Sequence, residues 1–290
     1  MAQTRELRRR IKSVQSTRKI TKTMELVATS KLKRAQDRVI AARPYAAALA
    51  EVIGDLYAPE LAERFPLLRQ PGKSGAHRRV ALVVITANRG LCGAFNANLI
   101  REARHRIEQL EAEGVGIDLH LIGKKGISYF RFAKRPAASQ RTDIGDKPKA
   151  EHAAEIVGPL MAQFESGALD AVEVVFAQFK SAVSTPPTTL RVLPITPPRS
   201  GGSAANYILK PSAAAILEQL LPLYVRNQLY RALVETAAAF LGAQRTAMKN
   251  ATDNAGDIIE LLQRTYNRAR QAQITQELAE IVGGAEALKG

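Results

Sequence analysis

The stretch Leu223–Gly290, LYVRNQLYRALVETAAAFLGAQRTAMKNATDNAGDIIELLQRTYNRARQAQITQELAEIVGGAEALKG, decides the fold, because it runs to the end of the sequence without a proline. Proline inside a helix removes a hydrogen bond and clashes with the preceding turn. A run free of it that also keeps an apolar repeat predicts one helix, about 100 Å long at 1.5 Å per residue. The repeat is present. Ile216, Leu220, Leu223, Asn227, Tyr230, Val234, Ala237, Leu241, Gln244, Met248, Ala251, Ala255, Ile258, Leu262, Thr265, Ala269, Ala272, Gln276, Ala279 and Gly283 step by three or four, and fifteen of these twenty are apolar. Such a helix is too long to fold into a compact body, so its stripe needs a partner.

The partner lies at the other end of the sequence. All fourteen prolines fall between Pro44 and Pro222, leaving the first 43 residues free of them. There Leu7, Ile11 and Val14, then Ile20, Met24 and Val27, then Ala28, Leu32, Ala35, Val39, Ala42, Ala46, Leu49 and Ile53 form one helical stripe with slips of phase. Two narrow stripes rich in alanine let the axes approach closely, and an antiparallel coiled coil of the two termini is the expectation.

Between these arms the pattern changes to short β-branched runs. Arg79–Ala87, Ile117–Ile122, Ala171–Lys180 and Thr188–Ile195 read as strands, with helices over Ala94–Glu113 and Lys149–Ser166. The alternation predicts an α/β layer with a partly parallel sheet. The Pro- and Gly-rich stretches 66–75 and 194–203 read as linkers, and no internal repeat is present. The domain limits expected are 1–58 for the N-terminal coiled-coil helix, 76–200 for the α/β domain and 207–290 for the C-terminal coiled-coil helix.

Charge narrows the partners. The chain of 290 residues carries a formal +15, and residues 1–43 hold thirteen Lys and Arg against Glu6, Glu25 and Asp37. An acidic partner is called for: nucleic acid, anionic lipid or an acidic protein surface. No apolar run reaches the roughly 18 residues of a membrane span, so no direct membrane insertion is expected. A single cysteine, Cys92, precludes an internal disulfide and fits a reducing compartment. With no Trp, and Tyr45 the only aromatic residue among the first 50, a platform for stacking bases is lacking, which argues against nucleic acid.

No catalytic site is expected. Gly72-Lys73-Ser74 ends like a phosphate loop, but Leu67 stands where that motif requires glycine. Asn88-Arg89-Gly90-Leu91-Cys92-Gly93 follows a strand and opens a helix, without the glycine spacing of a dinucleotide turn, and reads as a chain-turning device. His77, His105, His120 and His152 are scattered without ligand spacing, so no metal and no cofactor are expected. Cys92 lacks an evident base and reads as a small buried residue. Asn250-Ala251-Thr252 matches a glycosylation sequon by chance, in mid-helix.

Four stretches, in order, carry a resemblance. Arg10-Ile11-Lys12-Ser13-Val14 through Ser30-Lys31, then Arg89-Gly90-Leu91-Cys92-Gly93-Ala94-Phe95-Asn96, then Ala247 through Asn254, and last Tyr266 through Gln271 followed by Ile274 through Ala285, are similar to the gamma-subunit family of bacterial-type rotary ATP synthases. The resemblance implies a non-catalytic central-stalk subunit: a coiled-coil shaft inside a hexamer of alpha and beta subunits, and a central Rossmann-like α/β domain against the epsilon subunit and the membrane c ring. Turning of the shaft would couple ion flow to ATP synthesis or hydrolysis, and the location implied is the cytoplasmic face of the bacterial plasma membrane. By the same resemblance Arg270, Gln271 and Thr275 would bond loops of the catalytic subunits. Lys22, Thr23 and Met24 would face their acidic lever segments, and Tyr207, Leu209 and Lys210 would meet the ring or epsilon. Two departures from the family pattern stand out. Ala239-Phe240-Leu241-Gly242 replaces a polar stretch, with Gly242 weakening the helix by about 1 kcal/mol relative to Ala, and Lys210 stands where a Glu is common.

Overall fold

In a computed structural model the described residues are 2–56, 64–69, 78–196 and 212–287. The elements in chain order are helix α1 (Ala2–Leu56), a 3-10 turn at Pro66–Leu68, strand β1 (Arg79–Ile85), α2 (Phe95–Ala112), β2 (Gly116–Ile122), α3 (Lys124–Phe132), β3 (Ser139–Arg141), α4 (Ala150–Glu165), β4 (Ala171–Ala177), β5 (Pro187–Leu193) and α5 (Ala213–Ala287). Strands β1, β4 and β5 end two or three residues sooner than expected, while β2 ends at Ile122 as expected. Helix α3 and the three-residue β3 were not anticipated. The chain divides into two compact units, residues 1–28 with 245–290, and residues 29–244.

In the first unit, segments of α1 and α5 run antiparallel. Thr4 Oγ1 meets Gln273 Oε1 at 3.2 Å, Arg8 donates to the Tyr266 hydroxyl at 2.8 Å, and Thr21 Oγ1 lies 2.8 Å from Thr252 Oγ1, so positions rise along one helix as they fall along the other. These contacts correct the expected frame. Met248, Ala255, Leu262 and Ala269 turn inward as foreseen, but the alternate rungs are Thr252, Ile259, Tyr266 and Gln273, each one residue beyond Ala251, Ile258, Thr265 and Ala272. Ile258 is 47% exposed and Ile259 only 7%. The physical reason is that three of the true rungs are polar and are held by hydrogen bonds across the seam. Polar rungs fix register at some cost in stability.

The second unit is a five-stranded sheet of order β3-β2-β1-β4-β5. The first four strands are parallel, and β5 closes one edge antiparallel to β4. Alternate residues of β1 feed two cores. Leu82 and Val84 face α2 and α3 through Leu99, Ala103, Ile127 and Phe130, together with Leu32, Ala35 and Val39 of α1. Ala81, Val83 and Ile85 face α4 through Val157, Leu160 and Phe164, with Leu49 and Ile53 of α1 and Leu217, Leu221 and Val225 of α5. Burial on both sides explains why β1 and β4 read as continuous apolar runs. Both terminal helices therefore spend part of their stripe on the sheet rather than only on one another.

A polar latch fastens α5 to the end of β4. Glu235, 1% exposed, accepts the Phe179 N–H at 3.0 Å and the Arg231 guanidinium at 2.7 Å. Thr236 Oγ1 accepts the Ala177 N–H at 3.3 Å and donates to Ala232 O at 2.7 Å. Two turns on, a Cβ at Gly242 would stand 2.9 Å from the Ala182 carbonyl oxygen. Gly242 thus admits the loop after β4, which corrects its reading as a mere weakness of the helix. We expect Gly242→Ala to destabilise by about 1–3 kcal/mol through this clash. Gly256→Ala, whose Cβ would meet Arg18 at an ordinary 3.7 Å, should instead stabilise by up to about 1 kcal/mol. Denaturant midpoints of the two variants check both signs.

Candidate functional site

The carboxyl ends of the parallel strands are where an open α/β sheet takes an anionic ligand, so the turn after β1 was the first candidate. Its donors are consumed by the chain itself. At the start of α3 the N–H groups of Lys124, Lys125 and Gly126 donate to Asn88 Oδ1 at 3.0 Å, Ala87 O at 3.2 Å and Thr86 Oγ1 at 2.9 Å. Gly123 takes a φ of 96°, and a Cβ there would lie 2.1 Å from Thr86 O. Asn96 Oδ1 accepts the Ala87 N–H at 2.9 Å, and its amide donates to Arg89 O at 3.3 Å. Asn88–Gly93 turns the chain and leaves no phosphate cradle.

Cys92 is buried beneath this turn, with Asn96 Nδ2 3.2 Å from its sulfur. Burial pushes its thiol up, away from the thiolate a nucleophile needs. His105 bonds Gln109, His120 bonds Ser139 and His152 accepts the Lys149 N–H, while His77 and Gly72-Lys73-Ser74 lie outside the described residues. Among the described residues no three of His, Cys, Asp and Glu gather as a metal site, and no helix is long and apolar enough to cross a membrane.

The second candidate is the surface of the helix pair. Lys22 is exposed and pairs with Glu25 at 3.1 Å; Thr23 is exposed and donates to Lys19 O at 3.0 Å; Met24 is half-buried. Arg270, Gln271 and Thr275 are exposed, with Thr275 donating to Gln271 O at 3.0 Å. The two groups do not converge. Thr21 sits level with Thr252 and Thr4 with Gln273, which sets them about 30 Å apart along the helices at 1.5 Å per residue. They lie at two levels of the helix pair. Tyr207, Leu209 and Lys210 lie outside the described residues.

What the sequence reading missed is the apolar content of that surface. Ile20 and Val27, assigned to the stripe, face outward together with Leu26, and on α5 so do Ile258, Leu261, Ile274, Leu278, Ile281 and Val282. The slips of phase in the stripe were the signal: residues out of register with the seam belong to a second face. Outward apolar side chains among Arg5, Arg9, Arg10, Lys12, Lys19 and Arg270 make a surface suited to a protein partner.

The two units are of different kinds, an α/β unit and an antiparallel helix pair whose exposed face is apolar and basic. A family model described as ATP synthase matches residues 3–288. The ATP synthase gamma chain of Gemmatimonas aurantiaca is 63% identical over the full length of both chains, and that of Leptospira biflexa is 44% identical over 99% of this chain and all of its own. Among solved structures, a chain of the Euglena gracilis mitochondrial ATP synthase in an OSCP/F1/c-ring assembly matches with a TM-score of 0.67 at 18% identity, covering 99% of this chain and 95% of its own. A chain of that synthase's rotor gives 0.65 at 18% identity over 94% and 99%. The chain belongs to the ATP synthase gamma-chain family, whose members form the central stalk and are not the catalytic subunits.

Proposed function

We propose that this chain couples ion flow to ATP synthesis or hydrolysis by turning its helix pair within the alpha and beta subunits, as a peripheral component on the cytoplasmic face of the membrane. The observation that carries the reading is the outward apolar and basic surface of the helix pair, present at two levels. Arg270 and Gln271 supply donors at one level, beside the Thr275 hydroxyl oxygen, which remains able to accept; Lys22, Thr23 and Met24 supply a basic, partly apolar patch at the other. A shaft whose contact free energy differs between the conformers it faces biases each catalytic site in turn, because a ligand shifts an equilibrium only by its differential affinity. The functional division in this reading assigns segments 1–58 and 207–290 to the shaft and 76–200 to the body, with epsilon and the c ring met through Tyr207, Leu209 and Lys210.

The test is reconstitution. A complex of alpha, beta, epsilon and ring subunits in vesicles should pump ions on ATP addition only when this chain is present, and the chain alone should hydrolyse no ATP. Pumping that does not require the chain overturns the reading, as does salt-sensitive retention on DNA in place of assembly. The positive Lys210 implies an acidic counterpart on the ring or epsilon, so Lys210→Glu should weaken coupling; a variant that couples better argues against that contact.

A further inference from the structure

A cleft of about 310 Å³ opens in the α/β unit above the carboxyl ends of β1 and β2, and the geometry points to a binding site for a small amphiphilic monoanion, an aromatic carboxylate by class. Its volume is at the lower end of the range for small-molecule sites, about 300–1,000 Å³. Ile85, Ile122 and Ile144 line it from the sheet side, and Leu233, Ala237 and Phe240 from α5. The neutral polar groups in the wall are already engaged. Thr86 Oγ1 donates to Ile122 O at 3.0 Å, Thr236 Oγ1 to Ala232 O at 2.7 Å, and the Asn88 amide to Thr142 O and Ile144 O at 2.9 and 3.0 Å. The interior therefore receives apolar matter.

The rim selects the charge. Asp146 Oδ2 accepts both Lys31, at 3.3 Å, and Arg89, while Arg38 donates to the Asp146 carbonyl at 3.3 Å. Two cations thus share one carboxylate while a third bonds the backbone carbonyl beside it, so the positive charges at Asp146 outnumber its single negative one. Arg89 also lies 5.8 Å from the Phe240 ring centroid, so its guanidinium bridges the charged rim and the apolar wall. A second carboxylate between Lys31 and Arg89 completes the pairing without displacing Asp146, since Arg offers five N–H donors and Lys three. Nucleotides are excluded by the same geometry: the N–H groups at the start of α3 that would cradle a polyphosphate are bonded to residues 86–88.

The test uses 1-naphthoate and its neutral analogue 1-naphthamide, measured by equilibrium dialysis on the assembled complex containing the full chain. The expected result is one saturable naphthoate site per copy of this chain, with the amide at least tenfold weaker. Ala237→Leu, which fills the cleft, should weaken naphthoate at least tenfold. Arg89→Gln should reduce the acid to the level of the amide. Equal binding of acid and amide to the parent overturns the proposal, and so does naphthoate binding that survives Ala237→Leu. Assembly of the complex is read separately by co-purification, so failure of the site is distinguishable from failure of the rotor reading.

Discussion

Glu173→Ala should cost the α/β unit about 3–5 kcal/mol, the penalty for stranding a buried charge by removing its partner. Glu173 stands in the middle of β4 with its side chain 3% exposed. It receives two bonds from Arg106 of α2, at 2.6 and 2.8 Å, and two from Arg191 of β5, at 3.2 and 3.0 Å. Arg191 is half exposed and regains water when the carboxylate is lost, whereas Arg106, 19% exposed, does not fully. Against a total stability of about 5–15 kcal/mol for a domain, the loss is large. Joint replacement, Glu173→Leu with Arg106→Leu, should recover most of it, because an apolar pair carries no desolvation penalty. Denaturant unfolding of the full chain measures both; a change below about 1 kcal/mol for Glu173→Ala contradicts the account.

The same residue sets an acid limb. Burial alone would raise the Glu173 carboxyl, but the hydrogen bonds and charge of Arg106, aided by Arg191, hold it below the usual carboxylate range. A carboxyl depressed on folding contributes stability that is complete above its unfolded value, about 4.3, and lost as pH falls through the folded value. Glu173→Gln should therefore lower stability near neutrality and flatten its decline in acid.

The largest functional effect is expected from Arg270→Ala. Arg270 is exposed, and among the described residues it makes no ion pair or side-chain hydrogen bond, which leaves its donors for a partner. A hydrogen bond to a charged group contributes about 1.5–3 kcal/mol. If that bond is made in the step that limits turnover, its loss slows ATP turnover by the assembled complex about 10- to 100-fold, at 1.36 kcal/mol per decade. Thermal unfolding of the chain should not move, since no buried contact is lost. Turnover within twofold of the parent would remove Arg270 from the coupling surface.

Legibility in the sequence followed burial. Strands β1 and β4 were readable because they are buried apolar runs, β2 because Ile117, Leu119, Leu121 and Ile122 punctuate it with apolar residues, and α2 and α4 because one face of each keeps helical spacing. Strand β3, Ser-Gln-Arg, is polar and only three residues long, and α3 spans two and a half turns, so neither carries enough periodicity to register. The seam was half legible. Met248, Ala255 and Leu262 announce themselves by hydropathy, but Thr252, Tyr266 and Gln273 hold their places by hydrogen bonds that apolar counting does not see. Residues such as Arg270 and Lys22, being exposed, leave no periodic trace and were reached only through resemblance. Gly242 was misjudged because the close approach of Ala182 is a tertiary fact.

Rotation of single complexes tests the central claim most directly. With the catalytic subunits fixed to a surface and a bead attached through a cysteine placed at the exposed Lys147, the native Cys92 being buried, ATP should drive the bead in one direction in discrete steps. ATP hydrolysis by such complexes with the bead stationary, or moving without preferred direction, would contradict the account.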